Sequence, residues 1–593
     1  MAYTYQPLDK GTQIRLLEIQ PLRVTTKSPF SLQTYNLSHL PSFEAISYTW
    51  GSSDLDKSII CNGKRLPVTS NCATMLHYLR LEAAWARRVW IDQICVNQKD
   101  IPERNDQVVL MTEIYSRAQQ VIAWLGESSE IEKKCLALVA KVDINSVRYD
   151  SKSLIMGIRS VTDEALEEAK RKIDDIEMLL AGDGWAQQTL KGILDRPYFY
   201  RMWILQEATV ARRVTVKCGK CSIDMQCLMD LADFMIRWLW LGAPDYLHII
   251  SSLHTFRSKY RTYGTLDADS FEELFFRTRE YRATDLRDKI YALRGVCRNL
   301  RENTQPPDYS KSDVEVYIEA ARASITTEQG RLTMLSEARS PRHGADLPTW
   351  CPDYGGPVWI DGAPVDPSTT LREKSKRPSS LPIIDGRRLV VRGKIVDSIA
   401  KISEAAKRRV AGDLRLVPAF ETWRSWLSFM QPASSSYGDE SIHMAFWRTL
   451  FNDTEGHLTP QAVLKDEKAM RSLTYVEALH ARLMEIEPGE EPKLADWLVK
   501  RRELYFDVVA AVVRNIGSRA CITNEKFFGL VPDYAEVGDL VVYLQGAEKL
   551  QLLRPRDPTR RIFSLVKTCY IHGLANGERY PSEDSDLTEI VVV

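Results

Sequence analysis

The sequence has no net charge and lacks the signatures of several large enzyme classes. Lysine plus arginine and aspartate plus glutamate each number 79 among 593 residues, so no global field attracts nucleic acid or an anionic membrane. The chain contains no GxxxxGK[ST], no GxGxxG after a strand, no GxSxG, no HExxH and no paired CxxC. These absences argue against P-loop nucleotide hydrolysis, a stably bound dinucleotide cofactor, serine hydrolysis and zinc-protease chemistry.

No apolar run is free enough of charge to predict a membrane span. The most apolar stretch, residues 234–253, contains Arg237, Asp245 and His248, which a bilayer would have to bury. The first residues, MAYTYQPLDK, show no basic-then-apolar signal pattern. We therefore expect a cytoplasmic chain with no membrane span.

Cysteine usage gives no support for a metal site. The eleven cysteines are scattered and odd in number, which is typical of reduced thiols. The lone CxxC formed by Cys218 and Cys221 lacks a histidine close in sequence. A hairpin with incidental thiols is favoured there, and no metal or bound cofactor is expected.

The length predicts two to four domains. Composition and periodicity suggest the following division: an α/β domain over 1–220 with an insert at about 128–190, a mainly helical region over 221–361, a linker over 362–384, and a mixed α+β region over 385–593. The last region ends in short strands. We expect them to form a small β unit completed by the strands around 387–402.

Residues 43–126 alternate between strand and helix patterns. The predicted strands are 43–50, 88–92 and 120–125, with a helix over 71–82 capped by Ser70 or Asn71 and another over 102–119. Asp100 followed by Glu103 resembles a capping box at the start of the second helix. This βαβαβ order predicts a parallel sheet with helices on both faces.

A polar cluster follows the strand 88–92. Asp92, Gln93, Asn97 and Gln98 lie at its carboxyl end, where ligand sites form in open parallel sheets. The alternative is that these side chains cap the next helix and satisfy loop amides. Considered as a group, the four residues are explained at least as well by a role in the wall of a ligand site.

Four blocks of sequence resemble the fungal heterokaryon-incompatibility (HET) domain proteins. They are FEAISYTWG (43–51), RRVWIDQICVNQKDIPERNDQVVLMTEIYSRAQQVIAWLGE (87–127), RPYFYRMWILQEATVARRVTVKCG (196–219), and a downstream set that includes ATDLRDKIYALRGV, LPTWCPDY and VGDLVVYLQGAEKLQLLRP. The second block is long and order-specific. The HET domain itself would cover about 43–208.

The resemblance implies an effector of programmed cell death in non-self recognition. It also implies partners, namely self-association and another incompatibility protein. HET domains are thought to be remote relatives of Toll/interleukin-receptor (TIR) domains, so the implied fold is a TIR-like, flavodoxin-like parallel sheet. The order of predicted elements is compatible with that fold.

Some TIR domains cleave NAD with a glutamate placed four residues after a tryptophan. Trp203 and Glu207 have this spacing, which puts both on one face of a helix. By resemblance, Glu207 is a candidate catalytic carboxylate, and Trp203 and Trp50 are candidate wall residues. From their place at the same sheet edge, Asp92 is a second candidate carboxylate and Gln93, Asn97 and Gln98 are further ligand-binding candidates. A carboxylate near the ribose would stabilise the positive charge that develops when the nicotinamide bond breaks.

Three hypotheses remain open from the sequence. The first is a cell-death effector, the second an enzyme that cleaves NAD or a related nucleotide or serves specialised metabolism, and the third a non-catalytic recognition scaffold. On the third hypothesis Trp203 is core and Glu207 pairs with Arg201, Arg212 or Arg213. Arg282, Arg287 and Asp288 are expected to lock the helical region to the sheet by ion pairs.

Overall fold

The structure is a computed structural model, and it describes most of the chain in two compact units. The described residues are 1–51, 54–141, 184–239, 245–267, 271–336, 338, 346–356, 381–405, 416–430, 440–451, 477–487, 515–557 and 559–593, with a few positions between 493 and 512. Most of the predicted insert and most of the predicted linker lie outside these residues. The units are Met1–Asp313 and Val314–Val593.

A nine-stranded sheet forms the centre of the first unit. Its strands are β1 (Gln13–Ile19), β2 (Phe30–Asn36), β3 (Glu44–Tyr48), β4 (Lys57–Cys61), β5 (Lys64–Val68), β6 (Arg87–Trp90), β7 (Val121–Trp124), β8 (Val214–Cys218) and β9 (Cys221–Asp224). The spatial order is β5-β4-β2-β1-β6-β3-β7-β8-β9. The predicted strands within 43–126 are confirmed, as is the hairpin at Cys218 and Cys221, which face each other across β8 and β9.

The middle of this sheet is parallel and its flanks are largely antiparallel. Strands β6, β3, β7 and β8 pair in parallel, whereas β1 pairs antiparallel with both β2 and β6, and the β4–β5 and β8–β9 pairs are hairpins. Numbered along the chain, the four parallel strands lie in the order 2-1-3-4. This order reverses direction beside β3, and ligands bind at such a reversal in doubly wound sheets. The sheet is therefore mixed, not wholly parallel as predicted.

Helices cover and extend this sheet. They are α1 (Ser70–Glu82), α2 (Asp92–Cys95), α3 (Ile101–Arg117), α4 (Glu130–Lys141), α5 (Trp185–Leu194), α6 (Ile204–Thr209), α7 (Met225–Leu239), α8 (Asp245–Tyr263), α9 (Phe271–Thr278), α10 (Asp288–Val296) and α11 (Arg298–Asn303), with 3₁₀ turns at Leu37–His39 and Pro197–Tyr200. Thr69 caps α1, where Ser70 or Asn71 was predicted. Asp100 caps α3 as predicted, accepting from the backbone N–H of Glu103 at 3.1 Å.

The helices α7 to α11 fall in the first unit, which ends at Asp313. The most apolar stretch forms parts of α7 and α8, with residues 240–244 outside the described chain. No described helix is long and apolar enough to cross a bilayer. The sequence-based limits at 220 and 361 thus remain predictions, whereas the compact units divide between Asp313 and Val314.

The second unit contains helices and a closed antiparallel sheet, called here the strand ring. Its elements are the helices α12 (Asp313–Thr327), α13 (Leu416–Met430) and α14 (Ile442–Leu450), 3₁₀ turns at Thr333–Ser336 and Asp584–Asp586, and the strands β10 (Ile383–Asp385), β11 (Arg388–Ala405), β12 (Ser518–Thr523), β13 (Phe528–Pro532), β14 (Leu540–Leu544), β15 (Leu550–Asp557), β16 (Ile562–Ile571) and β17 (Thr588–Val592). Strand β11 pairs with both β12 and β14, which closes β11-β12-β13-β16-β15-β14 into an antiparallel ring. The expected β unit completed by the strands around 387–402 is confirmed.

Candidate functional site

Asp92 lies just beyond the carboxyl end of β6, where the indole of Trp50 meets it. The Trp50 Nε1–H donates to Asp92 Oδ2 at 2.9 Å, and the backbone N–H of Gln93 donates to Oδ1 at 2.7 Å. The side-chain amide of Gln98 donates to the Asp92 carbonyl at 2.9 Å. The half-buried carboxylate is therefore held by two donors, Trp50 after β3 and Gln93 after β6, while Gln98 holds the backbone of Asp92.

Glu207 lies on α6 and points at β3. It is 1% exposed, and it accepts a hydrogen bond from the Ser47 hydroxyl. Arg201 donates to both of its carboxylate oxygens, at 3.2 and 3.4 Å, and Tyr198 shares a 2.8 Å hydrogen bond with Ser47. Glu207 is thus a buried, paired carboxylate, as the scaffold hypothesis anticipated.

Asp92, Arg201 and Glu207 form one electrostatic cluster. Burial raises the pKa of Asp92 to about 6, with the negative charge of Glu207 adding to the rise and the positive charge of Arg201 opposing it. Burial also opposes the charge on Arg201, but Glu207 and Asp92 outweigh it and raise the pKa of its guanidinium. The two carboxylates therefore share one counter-ion at this edge of the sheet.

Arg15 anchors the loop that carries Asp92. Its buried guanidinium bonds to both oxygens of Glu103, at 2.6 and 3.0 Å, and to the carbonyl of Cys95 at 3.0 Å. Glu103 in turn accepts from the backbone N–H of Asn97 at 2.7 Å. The second half of the predicted capping box is therefore directed at Asn97 and Arg15, and it joins β1, the loop and α3.

The other amide candidates contribute to the loop itself. Gln93 is buried, and its side-chain oxygen accepts from the backbone N–H of Thr69 at 3.3 Å. Asn97 bonds through its backbone to Glu103, and Gln98 bonds to the carbonyl of Asp92. These contacts match the alternative in which the polar cluster satisfies loop amides.

Trp203 faces a different neighbour from Glu207. Its indole N–H donates to Asp288 Oδ2 at 3.0 Å, and the Tyr309 hydroxyl donates to Asp288 Oδ1 at 2.7 Å. Burial raises the pKa of Asp288 to about 6. The guanidinium of Arg104 lies 3.5 Å from the Tyr309 ring centroid. Trp203 and Glu207 are one helical turn apart, since the Glu207 N–H donates to the Trp203 carbonyl at 3.0 Å, but their side chains have different partners.

The block around α10 does join the helices to the sheet domain, but mainly without ion pairs across the junction. Arg282 stacks on Tyr200 with 4.5 Å to the ring centroid, and its backbone bridges that of Arg201. Arg287 pairs locally with Asp285 at 2.8 Å. An ion pair between Arg104 and Asp285 at 3.6 Å does cross the junction, and hydrogen bonds and cation–π contacts supply the other links.

Two further contacts position α6. The Gln206 amide donates to the Thr112 hydroxyl at 2.6 Å, and that hydroxyl donates to the Gly295 carbonyl at 3.0 Å. At the other end, buried Arg257 donates to the Ala211 carbonyl at 2.7 Å and also to the carbonyl of Ala208. A cation at a helix C-terminus satisfies carbonyls that the helix leaves open.

Sequence reasoning missed Ser47 and Tyr198 as members of the cluster, and it named Arg201 only as one of three possible partners of Glu207. The one usable signal was Ser47, a hydroxyl inside an otherwise apolar strand, since such a group needs a buried partner. Among the described residues no group of three or more histidine, cysteine or acidic side chains is arranged to hold a metal ion. The cluster offers hydrogen bonds and charge to a ligand.

The fold and this cluster define an α/β protein with a polar site at the reversal point of a doubly wound sheet. The profile of the family described as "Heterokaryon incompatibility protein (HET)" matches residues 43–207, which run from the start of β3 to Glu207. These residues are therefore similar to a HET domain. No solved structure matches it.

A curated relative extends the likeness beyond the HET domain. The chain is 25% identical, over 657 aligned positions, to "Heterokaryon incompatibility protein 6, OR allele" of Neurospora crassa. The alignment spans 96% of this chain and 95% of that protein. The similarity therefore includes the second unit as well as the HET domain.

Proposed function

We propose that this protein acts in heterokaryon incompatibility, as an effector that triggers cell death when non-self is detected. The observation that carries this proposal is the alignment along almost the whole of a protein named for incompatibility, together with the HET match. On this proposal the protein is cytoplasmic, self-associates, and responds to another incompatibility protein. The HET domain delivers the response and the second unit controls it.

The fold of the HET domain is proposed to be TIR-like. The support is the 2-1-3-4 order of β6, β3, β7 and β8, which is the start of the flavodoxin-like order. The added β1–β2 hairpin and the β8–β9 hairpin extend the parallel core without changing that order.

Fusion assays between fungal strains test the first proposal. A strain that carries the full-length gene and one that lacks it are each paired with strains of different incompatibility type. Fusion cells are then scored for death by a membrane-impermeant dye. The proposal predicts death in at least one incompatible pairing that disappears when the gene is deleted. Equal survival with and without the gene in every pairing would refute it.

The second candidate function is cleavage of NAD or a related nucleotide, and the Asp92–Arg201–Glu207 cluster favours it. Asp92 and Trp50 are half-buried and the side chain of Arg201 is 20% exposed, so each of the three keeps some surface in contact with solvent. Glu207 is enclosed. In this proposal Asp92 is the carboxylate that faces the ribose, while Glu207 orients Arg201.

The chemistry follows from charge. Hydrolysis breaks the bond between nicotinamide and ribose and forms a bond from water to the same ribose carbon, which gives nicotinamide, ADP-ribose and a proton. Positive charge builds on the sugar as the first bond breaks, and the ionised Asp92 stabilises that charge. With a pKa of about 6, Asp92 is mostly ionised at pH 7. Arg201 uses two of its five N–H donors on Glu207, which leaves donors for the hydroxyls of a sugar.

Release of nicotinamide from NAD by the purified full-length chain tests the second candidate. Asp92→Asn is expected to lower kcat by about 100-fold, as does the loss of one stabilising group in other active sites. Asp56→Asn removes an acid that lies outside the cluster and is expected to retain the rate. Undetectable release by the wild-type chain, or an unchanged rate in Asp92→Asn, would reject this candidate.

A further inference from the structure

Two neighbouring loops of the first unit expose apolar side chains next to cations. One loop follows β1, and the other follows the last turn of α1, which contains Leu81, and leads to β6. The exposed fractions are 44% for Leu22, 41% for Val24, 43% for Leu81 and 79% for Trp85. Together with Arg23 and Lys27, which are also exposed, these residues are called the Trp85 patch.

The two loops are joined by specific contacts. The backbone N–H of Leu22 donates to the Arg80 carbonyl at 3.1 Å, and the Arg23 guanidinium donates to the Ala84 carbonyl. The same guanidinium lies 5.6 Å from the centroid of the Trp85 ring. The apolar side chains therefore belong to one surface, and at 79% exposure Trp85 projects from it.

The charge of this surface is positive. Two acids lie close in sequence, and each already has a basic partner: Glu18 with Arg88 at 3.7 Å, and Glu82 with Lys217. Glu44 pairs with Arg87, two residues after Trp85, at 2.6 Å. Neither Arg23 nor Lys27 has an acidic partner within 4.0 Å in the described part of the chain. The chain as a whole is neutral, so this excess is local.

We propose that the Trp85 patch binds the surface of an anionic lipid bilayer. Trp85 and the aliphatic side chains enter the region between headgroups and acyl chains, and Arg23 and Lys27 contact the anionic headgroups. Projecting tryptophan and aliphatic side chains beside unpaired cations suit this interface, because the ring is apolar and its N–H remains at headgroup level. The binding is peripheral and does not depend on the proposed incompatibility function.

Vesicle flotation of the full-length protein tests the proposal. The wild-type chain is expected to float with phosphatidylcholine vesicles that contain phosphatidylserine, and much less with phosphatidylcholine alone. Trp85→Ala is expected to weaken binding about tenfold through lost apolar contact. Replacing both Arg23 and Lys27 with Gln is expected to weaken it about fivefold for each charge removed. Added salt should reduce the binding of the wild-type chain.

Trp185→Ala is the matched control, because Trp185 is 42% exposed on α5 and outside the patch. It is expected to float like the wild-type chain. Failure of the wild-type chain to float, or equal flotation of Trp85→Ala, would overturn the proposal. So would a concentration-dependent dimer, measured by light scattering, that Trp85→Ala disperses in the absence of flotation, since the patch would then bind a second copy. Because Trp85 is exposed, its variant is expected to keep the wild-type unfolding temperature.

Discussion

Arg201 bridges both carboxylate oxygens of Glu207 in the interior of the HET domain, with N–O distances of 3.2 and 3.4 Å. The Glu207 side chain is 2% exposed and that of Arg201 is 20% exposed. The pair therefore neutralises a buried charge and also leaves one side of the guanidinium near solvent and close to Asp92. This relationship links the stability of the domain to its candidate site.

Arg201→Gln is expected to destabilise the protein. Removing one partner of a buried ion pair leaves the other charge uncompensated, which costs about 3 kcal/mol. Urea unfolding at pH 7 measures this cost. The double variant Arg201→Gln with Glu207→Gln should recover part of the loss. The control is Arg213→Gln, which breaks an exposed pair with Asp224 and should cost less than about 1 kcal/mol. Similar costs for the two arginines would contradict the structure.

Asp92→Asn is expected to change the pH dependence of stability. Because the folded-state pKa of Asp92 is raised to about 6, the folded protein binds a proton more readily than the unfolded chain. Ionised Asp92 therefore destabilises the fold progressively as pH rises from about 4 to 6. The stability of Asp92→Asn relative to the wild-type chain should rise over this interval, by about 2 kcal/mol.

Asp56→Asn provides a control of opposite sign. The hydroxyl of Ser70 lowers the pKa of Asp56, so its ionised form stabilises the fold above the unfolded pKa and that contribution is lost as pH falls. The relative stability of Asp56→Asn should therefore fall as pH rises. Urea unfolding across this pH range measures both slopes. Parallel slopes for the two variants would refute the assignment for Asp92.

Trp203→Phe is expected to reduce stability without abolishing any activity at the Asp92 cluster. The change keeps an aromatic ring but removes the N–H that Asp288 accepts at 3.0 Å, which costs about 1.5 kcal/mol. Tyr309→Phe removes the other donor to Asp288. A double-mutant cycle by urea unfolding should show coupling, since both donors share one carboxylate. Additive losses would indicate that Asp288 does not join them.

Arg15→Gln is expected to destabilise the protein through the Asp92 loop. It removes a 2% exposed cation that bonds to Glu103 and to the Cys95 carbonyl, at a cost of about 3 kcal/mol. Hydrogen exchange at the amide of Asn97, which bonds to Glu103, should accelerate as well. The exposed pair of Arg277 with Glu273 serves as the control, because Arg277→Gln should cost less than about 1 kcal/mol. Unchanged exchange at Asn97 would contradict the anchoring role.

Gly529→Ala tests the closed strand ring of the second unit. A Cβ at Gly529 would lie 2.4 Å from the Tyr570 carbonyl oxygen and from the Ile571 side chain, so the paired strands must separate. We expect a loss of at least about 2 kcal/mol. At Gly192, within α5, a Cβ meets nothing within 4 Å, so Gly192→Ala should raise stability by about 0.5–1 kcal/mol. Thermal unfolding of both variants checks the contrast.

Local patterns in the sequence predicted the local structure well. The apolar strand that includes Ser47 became β3, and Asp100 caps α3, because strand periodicity and caps depend on residues a few positions apart. The cap of α1 was predicted at Ser70 or Asn71, but it is Thr69. Threonine, serine and asparagine all suit this position, so the sequence alone does not distinguish them.

Local sequence patterns could not predict contacts between residues far apart in the chain. Asp288 meets Trp203 across 85 positions and Ser47 meets Glu207 across 160, and no periodicity encodes either contact. The sequence therefore indicated that Asp92 and Glu207 approach the same sheet edge. It offered Arg201 as one of three possible partners of Glu207, but it did not show which of them forms the pair, nor that Glu207 is enclosed while Asp92 stays half-buried.

Death of fusion cells carrying Asp92→Asn tests most directly whether the Asp92 cluster is the working site of the HET domain. In an incompatible pairing where the wild-type gene causes death, cells with full-length Asp92→Asn should survive as the deletion strain does, at equal protein levels. Cells with Asp56→Asn should die as the wild type does. Death at wild-type frequency in Asp92→Asn would contradict the proposed site.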